Sequence, residues 1–247
     1  MKKEFCLTIA VFVFSLVLGT DMSFGLDREL YLQYTEQIIE RMEAGDGAQE
    51  TETGISFNSE AEARDFADYF YKLGYLGEVQ VNLLMRTWQD CPSYVEISVR
   101  SSDTKLAAAQ QRQAEQIFTG ISDQIASRTD EQMARAEAAY DWLYANYAYD
   151  YSYESKKIYT ALTTGKTVCF GYAGSYKVLC DYLGLECEML YGSNHVWNRV
   201  KVDGHWRYVD ITWDKNLEEH RWRLVSEDED AFYQWSELSH PLGKEGS

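Results

Sequence analysis

The clearest pattern in this chain is helical and lies between residues 169 and 184. Hydrophobic residues recur there at spacings of three and four, which is typical of one face of an α-helix. They are Ala173, Tyr176, Leu179, Cys180 and Leu183. Gly184 follows them, and glycine suits the left-handed backbone position that ends many helices. The pattern therefore predicts a helix with Cys169 in or just before its first turn.

A different pattern follows, in which residues alternate in character over 196–202 and again over 205–211. Alternation with period two is typical of β-strands. Between the two runs stands Asp203-Gly204, a strong signal for the type I′ turn of a two-residue hairpin. Such a turn pairs Val202 with His205 and sets the register of the hairpin. The hydrophobic residues expected to hold that register by burial are Val196, Val200, Val202, Val209 and Ile211.

Counting outward from the turn places His195 and Asp210 on one face as diagonal neighbours. Diagonal Cα atoms are about 7 to 8 Å apart, which lets a carboxylate reach a ring nitrogen of the histidine. Asp214 is the other diagonal neighbour of His195, provided that the second strand continues that far. The register alone therefore leaves both carboxylates open.

Cys169, His195 and a carboxylate have the chemistry of a nucleophile, its base and the group that orients the base. The unpaired N–H groups at a helix N-terminus carry partial positive charge. This charge and a neighbouring imidazolium both favour a thiolate over a thiol. The arrangement therefore indicates a cysteine nucleophile that works at neutral pH.

Three motifs carry a resemblance to a known family. GKTVCFGYA covers residues 165–173, NHVWNRV covers residues 194–200, and RYVDITWD covers residues 207–214. In this order, and with the hairpin between the last two, they resemble the core of the transglutaminase-like superfamily in the branch common in secreted bacterial proteins. The resemblance extends from about Thr129 to about Ser226.

The resemblance implies both a fold and a set of site residues. It implies an α+β, papain-like core in which a helix bearing the cysteine packs on an antiparallel sheet. It further implies that Cys169 is the nucleophile, that His195 is the base and that Asp210, ahead of Asp214, orients the histidine. The backbone N–H of Cys169 would be one oxyanion donor. For the second donor, Tyr159 is the candidate.

The chain before this core is predicted to form a small α+β region, residues 26–128, followed by the core domain, residues 129–247. The expected elements are a helix from 26 to about 45, a strand over 53–57, a helix capped by Asn58 or Ser59, a segment over 79–88, a strand over 94–99 and a connecting helix over 106–126. Thr129-Asp130 is predicted to cap the next helix. No chemistry is identified in residues 26–128.

Residues 1–25 are predicted to be a secretory signal peptide. Lys2 and Lys3 precede an apolar run over residues 5–18, and the small residues Ser23 and Gly25 suit a cleavage site. The alternative is a membrane anchor, but the run is shorter than the roughly 18 to 20 residues of a span. We therefore expect a secreted, extracellular protein, with cell-surface association as an option and no stable span after cleavage.

Charge narrows the expected partners. The 247 residues carry a formal net charge of −17, which disfavours nucleic acid and anionic membrane surfaces. A protein or peptide substrate remains the expected partner, and the oligomeric state stays open. No cofactor or metal is expected, because the chain has no calcium-binding loop motif. A zinc site built from Cys169, Cys180, Cys187 and His195 would lack a close Cys-x-x-Cys pair.

The remaining cysteines and histidines are given no catalytic role. Cys6 falls within the predicted leader. Cys180 and Cys187 are either a disulfide pair or, as favoured here, two buried thiols. Cys91 is unassigned. Solvated or structural roles are expected for His205, His220 and His240.

Three functions follow from these residues. The first is acyl transfer to an amine through a thioester on Cys169, as in a transglutaminase. The second is hydrolysis of the same intermediate, as in a cysteine protease or amidase. The third is an extracellular interaction module that has lost turnover. The tyrosine-rich run over residues 140–153 is expected to belong to the core, with a wall of the substrate cleft as the alternative.

Overall fold

The computed structural model describes residues 23–70, 79–88, 91–192 and 194–226. Most of the predicted leader lies outside the described residues. The helices are α1 (Ser23–Ala44), α2 (Glu60–Tyr69), α3 (Thr104–Ala126), α4 (Gln132–Asn146), α5 (Ile158–Thr164), α6 (Cys169–Tyr182) and α7 (Ile211–Leu217). The strands are β1 (Glu50–Phe57), β2 (Gln80–Trp88), β3 (Cys91–Arg100), β4 (Ala148–Tyr149), β5 (Lys166–Thr167), β6 (Cys187–Tyr191), β7 (Val196–Val202) and β8 (His205–Val209). Among the described helices, none is long and apolar enough to cross a membrane.

The first half of the chain is a three-stranded antiparallel sheet with helices packed on it. Its strand order is β1-β3-β2. Side chains from α1, α2 and the sheet, among them Ile38, Phe66 and Ile97, form a buried cluster. The predicted cap Ser59 is confirmed, because its side chain accepts a hydrogen bond from the Glu62 N–H at 3.2 Å. This half has the α+β composition that the sequence pattern predicts.

Helix α3 contributes to the two larger hydrophobic clusters of the described residues. Ala107 and Ala108, near its beginning, belong to the first cluster. Phe118 and Ile121, further along the same helix, belong to the second, which is built around α6. The predicted domain boundary at residue 128 falls after this shared helix and remains a prediction.

Helix α6 is the centre of the second half. It packs against α3, α4 and α5 on one side and against the antiparallel sheet β6-β7-β8 on the other. The predicted apolar face is buried, from Ala173 to Leu183. Gly184 has a φ of 72°, the left-handed conformation expected after the helix. The prediction of an α+β core with a cysteine-bearing helix on an antiparallel sheet is confirmed.

The hairpin prediction is confirmed in its turn and register. Asp203 and Gly204 have φ values of 50° and 83°, as a type I′ turn requires. Val202 pairs with His205, and the ladder continues in the predicted register as far as Asn198 and Val209.

The predicted extent of the second strand is wrong. Strand β8 ends at Val209, and Asp210 is the N-cap of helix α7 rather than a strand residue. The Asp210 carboxylate accepts a hydrogen bond from the Trp213 N–H at 3.0 Å, which satisfies a donor in the first helical turn. The Asp210 N–H donates to the Trp222 carbonyl at 3.1 Å. These two bonds turn the chain away from the sheet.

The predicted cap of α4 is also displaced. The N-cap is Glu131, which makes no side-chain cap hydrogen bond. Thr129 instead accepts a hydrogen bond from the Glu131 N–H at 3.1 Å, so its hydroxyl closes a short turn before the helix.

Candidate functional site

Cys169 is the first residue of α6 and is partly exposed. Val168 is its N-cap, in an extended conformation and with no side chain that bonds to the first turn. The start of the helix packs tightly, because a Cβ on Gly171 would lie 1.8 Å from Thr167 Oγ1. The Thr167 hydroxyl in turn donates to the Ser155 carbonyl at 3.0 Å. Gly171 thus lets the chain before Cys169 pack against the first helical turn.

His195 and Asp210 form a buried pair beside this helix. His195 Nε2 lies 2.7 Å from Asp210 Oδ2, and the two residues are 4% and 3% exposed. The imidazole is stacked between two indole rings, with centroids 5.7 Å from Trp197 and 6.2 Å from Trp213. A hydrogen bond to a carboxylate is strong in such surroundings, since little water competes for it.

The surroundings of His195 favour its charged form. Burial by itself lowers the pKa of His195, but the charge and hydrogen bond of Asp210, with a smaller contribution from Cys169, raise it to about 9. The Cys169 side chain lies close enough to the imidazole to contribute to this rise. Because Asp210 occupies Nε2, Nδ1 is the ring nitrogen available to the thiol. The structure therefore pairs His195 with Asp210 and places Cys169 near the same imidazole.

Asp214, the competing carboxylate, faces a different partner. Tyr140 donates its hydroxyl hydrogen bond to Asp214 Oδ2 at 2.6 Å, and the Trp222 N–H reaches the two carboxylate oxygens at 3.0 and 3.1 Å. Burial raises the pKa of Asp214 to about 6, although both hydrogen-bond donors oppose the rise. Asp210 is therefore the carboxylate that contacts His195, and Asp214 holds α7 against α4.

Asn198 belongs to the site and was given no role in the sequence analysis. It lies three residues after His195 on β7 and is buried. Its side-chain amide donates to the Ala173 carbonyl on α6 at 3.0 Å and to the Glu188 carbonyl on β6 at 3.3 Å. These bonds tie the strand that follows the histidine to the helix that bears the cysteine. The only signal in the sequence was its position in the second motif.

Asp150 is a second residue that sequence reasoning missed. Its carboxylate accepts hydrogen bonds from the side chain and N–H of Ser152 and from the N–H groups of Glu154 and Ser155. The Ser152 hydroxyl and the Ser155 N–H hold the pKa of Asp150 well below its usual range. Asp150 thus organises the loop whose Ser155 carbonyl accepts the Val168 N–H at 3.3 Å, next to the nucleophile.

The structure does not support Tyr159 as the second oxyanion donor. The Tyr159 hydroxyl donates to Gln113 Oε1 on α3 at 2.8 Å. The side chain therefore lies toward α3 and is already engaged there.

The other cysteines and histidines lie apart from this arrangement. Cys180 and Cys187 are buried and not linked by a disulfide, and burial and a hydrogen bond with Cys180 raise the pKa of the Cys187 thiol. His205 is exposed at the start of β8, and His220 lies 3.2 Å from the Tyr140 hydroxyl. Within the described ranges, no group of three or more His, Cys, Asp or Glu residues is arranged to hold a metal ion. His240 and the Cys91 side chain lie outside what the structure describes.

Part of this chain is similar to known proteins. Residues 119–211 match the model of the Transglutaminase-like superfamily. Kyphoscoliosis peptidase of Mus musculus is 26% identical over 126 residues, which cover 41% of this chain and 19% of that protein. The Homo sapiens protein of the same name is 29% identical over 107 residues, covering 34% of this chain and 16% of that protein. This chain thus spans a fifth or less of the length of these relatives.

Two solved structures are also similar. One is from Cytophaga hutchinsonii and has cysteine protease as its proposed activity, with a TM-score of 0.35, 13% identity, and coverage of 60% of this chain and 65% of that chain. The other is described as a TGase, with a TM-score of 0.34, 14% identity, and coverage of 72% of this chain and 56% of that chain. The match of residues 119–211 to the superfamily model confirms the resemblance read from the three motifs at the level of the superfamily.

Proposed function

We propose that the transglutaminase-like superfamily core at residues 119–211 makes this protein a cysteine-dependent acyltransferase acting on carboxamide or amide groups of proteins. The observation that carries the proposal is the buried His195–Asp210 contact of 2.7 Å, with the Cys169 thiol near enough to contribute to the raised pKa of the same imidazole. A raised histidine pKa of about 9 favours the imidazolium at neutral pH. An imidazolium beside a thiol stabilises the thiolate, which is the reactive form.

The mechanism follows from the position of each group. The Cys169 thiolate forms a bond to the carbonyl carbon, and the oxygen takes up the negative charge. The N–H of Cys169, at the N-terminus of α6, would donate to that oxygen, a contribution on the order of 3 kcal/mol where such a donor is preorganised. His195 then gives its proton to the departing amine as the C–N bond breaks, which leaves a thioester on Cys169.

The second half of the reaction reverses these roles. An incoming amine attacks the thioester carbon, His195 takes its proton, and the thiolate leaves. Asp210 keeps Nε2 engaged throughout, so Nδ1 stays directed at the thiol. His195 is 4% exposed and its imidazole lies beside the Trp197 and Trp213 rings, so little water competes for its bond to Asp210.

Hydrolysis of the same thioester is the second candidate function. The kyphoscoliosis peptidases that resemble this chain are named for peptide-bond cleavage. Water in place of the amine would give a peptidase or amidase with the same residues in the same roles. The two functions differ only in how well the cleft orients an amine and excludes water.

The first experiment measures the rate of Cys169 alkylation by iodoacetamide as a function of pH, in the full-length chain and in His195→Ala. Peptide mapping resolves Cys169 from the buried Cys180 and Cys187, which serve as internal controls. We expect fast modification of Cys169 near pH 5.5, well below the value of about 8.5 at which an ordinary cysteine ionises, and loss of this advantage in His195→Ala.

The outcome decides between the proposed classes. If Cys169 reacts like an ordinary thiol in both proteins, the enzyme proposal fails and a binding module becomes the better description. If it reacts fast, incorporation of a fluorescent primary amine into a glutamine-bearing protein supports acyl transfer, whereas release of ammonia or new N-termini without incorporation supports hydrolysis.

A further inference from the structure

Three tyrosines that follow α4 form an aromatic surface, and two of them are exposed. We name Tyr149, Tyr151 and Tyr153 the tyrosine ledge. The Tyr149 ring lies 5.0 Å from the Tyr151 ring and 6.2 Å from the Tyr153 ring, both edge-on. Tyr151 is 74% exposed and Tyr153 is 58% exposed. Large aromatic side chains with this much exposure contribute little to the stability of the fold that carries them.

The loop that presents the ledge is held rigidly. Tyr153 has a φ of 59°, an uncommon conformation for a bulky residue without a structural demand for it. Its N–H donates to the Asp150 carbonyl at 3.1 Å, and the Asp150 carboxylate accepts from the next two N–H groups of the loop. A left-handed backbone conformation costs free energy for a residue other than glycine, and such a conformation, when several hydrogen bonds hold it, is typical of a functional site.

The ledge is continuous with the candidate active site. Tyr149 on β4 pairs with Thr167 on the parallel strand β5, and Thr167 lies two residues before Cys169 in the sequence. The Tyr151 hydroxyl donates to Asn216 Oδ1 at 3.3 Å, on the helix that Asp210 caps. The ledge thus extends from the strand that leads into the nucleophile to the helix that begins at the orienting carboxylate.

We infer that the tyrosine ledge is a substrate-recognition surface, on which the polypeptide substrate lays an aromatic side chain close to the carbonyl group that Cys169 attacks. The inference rests on the proposed function, because it names the substrate class of the same site. Aromatic rings attract one another in edge-on and offset geometries, and a preordered ledge loses little conformational freedom when a further ring joins it. The site is then selective for polypeptide substrates that carry an aromatic residue near the carbonyl group that Cys169 attacks.

Two alkylating reagents with the same reactive group test this inference without knowledge of the natural substrate. Iodoacetamide reports the reactivity of the thiol alone, and N-benzyl iodoacetamide adds one aromatic ring, joined through the amide nitrogen, a few bonds from the reacting carbon. The ratio of their second-order rates at Cys169 measures recognition of that ring. The proteins compared are the full-length wild type, Tyr151→Ala and Tyr153→Gly, in which glycine accepts the positive φ without strain.

Two further variants serve as controls. Tyr151→Phe keeps the ring and removes only the hydroxyl bonded to Asn216. Tyr182→Ala removes a tyrosine that is 45% exposed at the far end of α6, about 20 Å from Cys169 at about 1.5 Å per helical residue. Both controls are expected to keep the wild-type ratio.

We expect the ratio to fall by about two- to tenfold in Tyr151→Ala and Tyr153→Gly, the amount that one aromatic pair contributes. A ratio that stays at the wild-type value in both variants overturns the inference, as does an equal fall in Tyr182→Ala. Failure of the proposed function looks different, since iodoacetamide itself would then modify wild-type Cys169 no faster than an ordinary thiol.

Discussion

Replacing Asp210 by Asn is the most informative single change in this protein. Asparagine has nearly the same shape and is itself a good N-cap, so the bond to the Trp213 N–H and the start of α7 are retained. What is lost is the negative charge 2.7 Å from His195 Nε2. With that charge gone, burial remains, and burial lowers the pKa of the histidine.

The structure sets the size of the effect. In the wild type the pKa of His195 is raised from 6.5 to about 9, which at about 1.36 kcal/mol per pH unit corresponds to about 3 kcal/mol, or a factor of about 300 in favour of the imidazolium. At pH 5.5 only about one ordinary thiol in a thousand is ionised, because its pKa is about 8.5. Loss of the imidazolium should therefore slow Cys169 alkylation at pH 5.5 by about 100-fold or more, and the two profiles should converge above about pH 8.5.

The assay is the pH profile of iodoacetamide modification of Cys169, with Asp214→Asn as the matched control. Asp214 lies one helical turn from Asp210 and bonds to Tyr140 instead of His195. We expect its variant to keep the wild-type profile of thiol reactivity. A profile for Asp210→Asn that superimposes on wild type, or a loss of reactivity in Asp214→Asn alone, would refute the assignment of the orienting carboxylate.

Further predictions concern the stability of the fold. Gly171→Ala should lower the free energy of unfolding by about 1 to 3 kcal/mol, because the added Cβ would lie 1.8 Å from Thr167 Oγ1. Gly120→Ala, in an open position on α3, should instead raise the free energy of unfolding by about 0.5 to 1 kcal/mol. Urea unfolding measures both changes. The pKa of Asp214 is raised from 3.8 to about 6 in the folded protein, so protonation of its carboxylate stabilises the fold. About 3 kcal/mol of this stability is therefore lost as the pH rises from about 4 through about 6. Asp214→Asn should remove this loss from the pH dependence of unfolding; a wild-type dependence in the variant would contradict the raised pKa.

Local patterns predicted those parts of the site that near neighbours decide. The Asp203-Gly204 turn sets the register by its backbone conformation, and that register is observed from Val202–His205 to Asn198–Val209. The apolar spacing after Cys169 likewise predicted α6 and its end at Gly184. Both depend on residues within a few positions of each other, so a sequence window contains all the information.

The same reasoning failed where the chain had two local options. Residues 205–211 alternate like a strand, yet Asp210 caps a helix. An aspartate before a helical turn is itself a capping signal, but the choice between cap and strand rests on the Trp222 carbonyl, which accepts the Asp210 N–H from 12 residues away in sequence. Contacts of that kind are not visible in a pattern of hydrophobic and polar positions.

By itself, then, the sequence predicted Cys169 and His195 as the candidate nucleophile and base and placed Cys169 at a helix N-terminus, because motif spacing and helical period are local properties. The resemblance favoured Asp210 over Asp214, but only the tertiary structure shows that Asp210 contacts His195, whereas Asp214 is held by Tyr140, 74 residues earlier in the chain. The tertiary structure also decided that Asn198 reaches α6 across the sheet and that Asp150 shapes the loop beside the nucleophile. These choices depend on which buried polar groups find partners when the elements pack, and that is known only once the whole core is assembled.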